Sequence, residues 1–309
     1  MNEPATRTGI DLLPGAAVLA PAAGRRPPAS KGRAARAARL ARRNPTAAVG
    51  AGIIALTVFV AVTAPLLARY DPVSQIAQPL LAPSDRYALG TDELGRDELS
   101  RIIFGARVSL YVGGVAVVIA LVFGASSGIA AGFYGGRLDN VAMRVMDVLF
   151  SMPALVLAIT LTSILGPSLT NAMIAIGIVY APTFARVARG PTLSVTGQPY
   201  IEAARAIGAS NRAIMVRHVF PNVSAPLLVQ TTVSLSTAIL TEAALSFLGL
   251  GTQPPTASWG LMLSTARQYM LIDPWIAVLP GIAIAVTVLG FNLLGDGLRD
   301  VLDPRIRTL

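Results

Sequence analysis

Six apolar runs, separated by polar segments, organise the chain from residue 45 onward: 45–68, 108–132, 145–165, 169–184, 225–250 and 275–294. Each is near the ~20 residues that a helix needs to cross a bilayer. The pattern predicts an all-α polytopic membrane protein with six spanning helices. The first run carries no charge until its end, exceeds the apolar core of a signal peptide, and is followed by more spans, so it reads as uncleaved.

Charge orients this array. Only Arg69, Arg86, Arg96, Arg101, Arg107 and Arg267 of the 25 basic residues fall on one side, and the rest lie on the other. Cytoplasmic segments carry the excess of Lys and Arg, so both termini of this multi-pass chain are expected in the cytoplasm. Residues 1–44 read as a disordered basic tail, with Arg25, Arg26, Lys31, Arg33 and Arg36 among its cations, and residues 45–309 as the membrane domain.

Two polar details matter next. The outer segment "YALGTDELGRDELSRIIFGARVSL", residues 87–110, places Asp92 four residues before Arg96 and Asp97 four before Arg101, which predicts an exposed helix with weak ion pairs. Its spacing is not that of a calcium loop. Gly124, Gly128, Gly132 and Gly136 recur every fourth residue, a spacing that lets two helices approach closely, with packing inside the chain favoured over a dimer contact.

Composition narrows the chemistry. The chain of 309 residues is 53% hydrophobic and 13% charged, with mean hydropathy +0.62. It has no cysteine and one histidine, His218, which removes disulfides, thiolate metal sites and histidine-rich centres. Lys31 is the single lysine and no glycine-rich P-loop precedes it, so ATP hydrolysis by this polypeptide is not expected. No catalytic, cofactor or metal site emerges.

The segment "EAARAIGASNRAIMVRHVFPN", residues 202–222, is polar between apolar runs. Pro199 suits a first helical turn, Gly208 a helix stop, Ser210 an N-cap, and Pro221 the end of a second short helix. Ile201, Ala204 and Ile207 fall near one face. The expectation is a helix, glycine turn, helix unit inside a coupling loop of about residues 186–222, low in relief and suited to a partner's groove. A DNA-binding helix-turn-helix is an alternative, opposed by the absence of a third helix and by spans tethering both ends.

Acidic residues inside apolar runs are costly and often functional, which singles out Glu242. It could meet a peptide amino group on the substrate path or accept hydrogen bonds from a neighbouring helix. Asp147 is expected to pair locally with Arg144, while Asn292 and Asp296 sit near the inner end of the last span.

"EAARAIG" followed by "RHVFPN" resembles the EAA motif of prokaryotic ABC importer permeases. The stretches "LGTDELGRDELSR", "GFYGGRLDNVAMRVMDVLFSMP", "EAALSFLGLGTQPPTASWG" and "LLGDGLRDVLDPR" are similar to the second permease of the dipeptide, oligopeptide and nickel importer family. The resemblance covers roughly residues 40–308. It implies ATPase coupling through Glu202, Ala203, Ala204, Gly208, Ala209, Arg212 and Pro221. It also implies a heterodimer with a homologous permease, two ATPase subunits, an extracytoplasmic substrate-binding protein and a short-peptide substrate. A nickel importer is the related alternative, and an ion-coupled secondary transporter the distant one, since such proteins commonly show two repeats of spans and none is visible.

Overall fold

The computed structural model describes residues 44–302, so the basic tail and the carboxyl-terminal Arg305 and Arg307 lie outside the described residues. Among the described residues, twelve helical elements follow in order. These are α1 (Pro45–Val62), α2 (Ala64–Leu67), α3 (Glu98–Tyr134), α4 (Gly136–Phe150), α5 (Ala154–Leu165) and α6 (Leu169–Thr196). After them come α7 (Pro199–Ala206), α8 (Asn211–Ile214), a π turn (Met215–Val219), α9 (Phe220–Phe247), α10 (Trp259–Ala266) and α11 (Trp275–Leu302).

Among the described residues, five helices are long and apolar enough to cross a membrane, and α4 with α5 makes a sixth if that pair, bent by 91°, is one span. The third span is therefore not the straight helix expected over 145–165. Pro153, at the N-cap of α5, cannot donate to the preceding turn, and it pushes Met152 away from helical geometry. The helices also outrun the apolar stretches. Although α3 begins at Glu98 and α6 continues to Thr196, hydropathy registers only their lipid-compatible middles.

The seam between α3 and α6 forms the centre of the packing. A Cβ at Gly124 would overlap the Ala181 backbone, one at Gly128 the Ala185 backbone, and one at Gly132 would press on Arg189 and Thr192. The glycines thus serve packing within the chain, except Gly136, which has open space around it. Ala116, Ala120, Ala172, Ile176, Phe184 and Ala188 fill the seam and are buried.

The outer segment departs from expectation. Residues 92–97 form a loop rather than an exposed helix, and Asp92, Arg96, Asp97 and Arg101 are all buried. Asp97 caps α3 by accepting from the Ser100 amide at 2.8 Å and the Ser100 hydroxyl at 2.6 Å, so it is not Arg101's partner. Asp92 instead holds both cations, accepting from Arg96 Nε at 2.6 Å and pairing with Arg101 Nε at 3.1 Å. Arg101 also donates to the Pro72 carbonyl at 3.0 Å, which fastens the 68–97 segment to the top of α3. An N-cap with backbone donors satisfies the helix start better than a side-chain pair in water, which explains the change.

Two outcomes follow from this packing. Gly128→Ile should lower stability by about 1–3 kcal/mol through overpacking, whereas Gly114→Ala, with nothing near its Cβ position, should be neutral. Thermal unfolding of the purified protein in detergent checks both. Asp92→Ala leaves the buried Arg101 guanidinium without a carboxylate and Arg96 with Glu93 alone, and should cost about 3–5 kcal/mol, read as a lower melting temperature and faster proteolysis of the 68–97 segment.

Candidate coupling surface and buried polar network

The segment after α6 folds as a helix, glycine turn, helix unit. Gln198 precedes α7 in extended conformation and Pro199 occupies its first turn. At the other end the Ile207 amide donates to Ala203 O at 3.1 Å, Gly208 N to Arg205 O at 3.0 Å, and Ala209 N to Ala204 O at 3.0 Å. This closure needs φ of +85° at Gly208, where a side chain would be strained. Ser210 then caps α8 by accepting from the Ala213 amide at 3.3 Å.

Three fully buried side chains, Ile201, Ile214 and Val219, anchor the unit in the main apolar core. Tyr200 lies beside His218 with ring centroids 5.8 Å apart, and the Arg205 guanidinium sits 5.7 Å from the Phe133 ring centroid. What remains faces outward: Glu202, Ala203, Gly208 and Arg212 are exposed, with Ala204 and Ala209 half-buried. Ile207 does not join Ile201 on the inner face. It is 87% exposed, because the Gly208 turn swings the end of α7 away from the core. An isoleucine just before a helix-ending glycine was the available signal.

Pro221 does not end the second helix. It lies in the first turn of α9, reached through the π turn, so helical backbone runs unbroken from Asn211 to Phe247. The wider π turn accommodates a ring that would otherwise clash with a carbonyl one turn back. Helix α8 is consequently one rod with a spanning helix.

A second polar constellation surrounds Glu242, which is fully buried. Its Oε1 accepts from the Ser246 hydroxyl at 2.7 Å and the Thr252 hydroxyl at 3.2 Å, and its Oε2 from the Ser109 hydroxyl at 3.4 Å. Ser246 Oγ in turn accepts from the Thr252 amide at 2.9 Å. The carboxylate thereby joins α9, α3 and the 248–258 loop. Nearby, the Trp259 indole donates to the Ile102 carbonyl at 3.0 Å and sets α10 against α3. Ser246 stands one helical turn from Glu242, whereas Ser109 and Thr252 were not foreseen beside it, since hydroxyl residues so placed in sequence carry no pattern.

Asp147 pairs with Arg186 of α6 at 2.8 Å rather than with Arg144, and Asp139 receives a two-pronged contact from Arg189 at 2.6 Å on each oxygen. The guanidinium fork of Arg189 matches both oxygens of Asp139, and Arg186 reaches one oxygen of Asp147 from the facing helix. Asn292 accepts from the Ser236 hydroxyl at 2.7 Å.

Residues 120–308 match the family described as binding-protein-dependent transport system inner membrane component, and residues 33–88 match the N-terminal transmembrane domain of oligopeptide transport permease C. The chain belongs to this permease family. It is 45% identical over 272 residues to a dipeptide transport system permease protein of Alkalihalophilus pseudofirmus, covering 86% of this chain and 88% of that one. To a di/tripeptide transport system permease protein of Pseudomonas aeruginosa it is 48% identical over 259 residues, covering 82% and 86%. Among solved structures, an inward-facing form of the MetNI methionine ABC transporter aligns with a TM-score of 0.54 at 21% identity, over 66% of this chain and 98% of that chain, a likeness of fold. The permease is thus a membrane subunit of an ABC importer, a class that works with ATPase and substrate-binding partners. Membership sets aside the DNA-binding and ion-coupled readings of the permease.

Proposed function

We propose that this permease forms half of the translocation path for short peptides, paired with a homologous permease, with two ATPase subunits on the cytoplasmic side and a substrate-binding protein outside. The names of its relatives support the peptide class. The observation that carries the mechanism is the exposed α7–α8 surface joined without a break to the spanning helix α9. Closure of the ATPases on ATP displaces that surface, and a continuous helix passes the displacement into the bilayer as a rigid tilt. Glu202 at the amino end of α7 favours that helix through its dipole, Ala203 and Ala204 keep the surface low, and Gly208 fixes the angle between α7 and α8. Both termini and the α7–α8 surface face the cytoplasm on this reading, in line with the arginine distribution. Glu242 serves the path by holding the 248–258 loop and α10 to α3 at the opposite end.

Ile207→Asp tests the docking surface without touching the core, because the side chain is exposed. Membrane abundance should hold while co-purified ATPase and dipeptide uptake fall together by about tenfold, as loss of a well-placed interface residue commonly does. Gly208→Val should act in the same direction through a backbone cost of about 1 kcal/mol or more. Uptake is measured with labelled dipeptide and, in parallel, with nickel ion. Parental ATPase binding and uptake in the Ile207→Asp variant would contradict the coupling role, and uptake of nickel alone would contradict the peptide assignment.

A further inference from the structure

The start of α3 buries more charge than it pairs. Glu98, the first residue of that helix, precedes the apolar run that begins at 108 and lies beside the 68–97 segment, outside the lipid-embedded stretch. It is only 2% exposed, and its Oε1 is enclosed with no hydrogen-bond donor of the described residues in reach. Its amide donates to the Gly90 carbonyl at 3.2 Å, so the residue sits where the 90–97 turn closes on the helix.

The neighbours have little to offer this carboxyl group. Asp92, Glu93 and Arg96 face it from the 90–97 turn, and Arg101 faces it from α3 itself. Both guanidiniums are already committed, Arg96 to Asp92 and Glu93, and Arg101 to Asp92 and the Pro72 carbonyl. Asp97 is spent on capping the helix. In the 68–89 stretch Tyr70 and Tyr87 donate their hydroxyls to the Arg86 and Ile76 carbonyls, while Arg69, Asp71, Asp85 and Arg86 are exposed. An ionised Glu98 would thus add a buried negative charge with no cation left to answer it. The amino end of a helix favours a carboxylate, but that effect is small beside the cost of burying an ion without a donor. The group escapes the cost by keeping its proton. Burial first, and then Asp92, push its carboxyl up to about 8 from an ordinary 4.5, against a smaller pull from Arg101.

We propose that Glu98 is a proton-held latch: while neutral it lets the 68–97 segment close on the start of α3, and when it ionises that segment opens. The bonds at stake hold the segment to the turn and to itself. The Ile76 and Ala77 amides donate to the Gly95 carbonyl at 3.0 and 3.1 Å, Leu80 to Asp92 at 3.0 Å, and Thr91 to Leu81 at 3.1 Å. In the open segment Glu98 meets water and ionises near 4.5, so the closed form holds a proton that the open form releases. Closure is at full strength below 4.5, weakens by up to about tenfold per pH unit as pH rises, and loses nothing further above about 8.

Hydrogen–deuterium exchange of the purified full-length chain in detergent, read by mass spectrometry from about pH 6 to about pH 9.5, follows that opening on peptides covering 76–92. The parental chain is compared with Glu98→Gln and Glu98→Met, which keep the length of the side chain without its titration. Dividing the parental rate by the variant rate at each pH cancels the intrinsic pH dependence of exchange. That ratio should climb by up to about tenfold per pH unit until about pH 8 and then level off, while the ratio for peptides of the α3–α6 seam stays constant. A constant ratio over 76–92, whether because neither chain responds to pH or because both do, would overturn the proposal. Failure of both variants to yield folded protein would overturn it too, because a neutral side chain of that length would then not suffice to close the segment.

Discussion

Close approach of two backbones along α3 and α6 is the constraint on which the remaining structure depends. Apolar side chains gain little by leaving lipid for one another, so helices in a bilayer associate by packing and by bonds that need proximity. Glycines at 124, 128 and 132 provide that proximity, because a side chain at any of them would meet the backbone or side chains of α6. With the seam closed, Arg186 and Arg189 are presented to α4, and Phe150 lies 4.2 Å under the Arg186 guanidinium. The end of α6 then delivers the chain to Gln198, from which α7 starts.

From that end two routes lead back into the membrane. The first is through Ile201, which is fully buried and belongs to the same apolar cluster as Phe184 and Ala188 of α6. The second is through α8, which continues by the π turn into α9. Helix α9 reaches the opposite end of the molecule, where Glu242 gathers Ser109, Ser246 and Thr252. A buried carboxylate left without donors would be costly, so this gathering fixes the 248–258 loop to two spans. The permease thus has a polar clasp at one end and the exposed α7–α8 surface at the other, joined by one continuous helix.

Much of this was legible in the residues. Apolar runs located the spans, Gly208 and Ser210 located the turn, and the four-residue glycine spacing located the seam. What the sequence concealed has a common physical origin, because partners distant in the chain leave no local pattern. Asp92 meets Arg101 instead of Asp97, Asp147 meets Arg186 instead of Arg144, and Ser109 and Glu242 stand 133 positions apart. Helix ends were lost for another reason. The first turns of α3 carry Glu98, Arg101 and Arg107, and hydropathy cannot distinguish such turns from loops. Pro221 misled because a proline normally stops a helix, and only a π turn before it lets the backbone continue.

The central claim is that α8 and α9 move as one body. Spin labels on cysteines at Arg212 and Leu240, both exposed, report the distance along that rod in a chain free of native thiols. Pulsed electron paramagnetic resonance of the assembled transporter, nucleotide-free and then trapped with ATP, is the direct measurement. A rigid rod predicts one narrow distance distribution that shifts by less than about 2 Å between the two states. A larger shift, or a second population appearing with ATP, would mean that the π turn bends and that α8 does not drive α9.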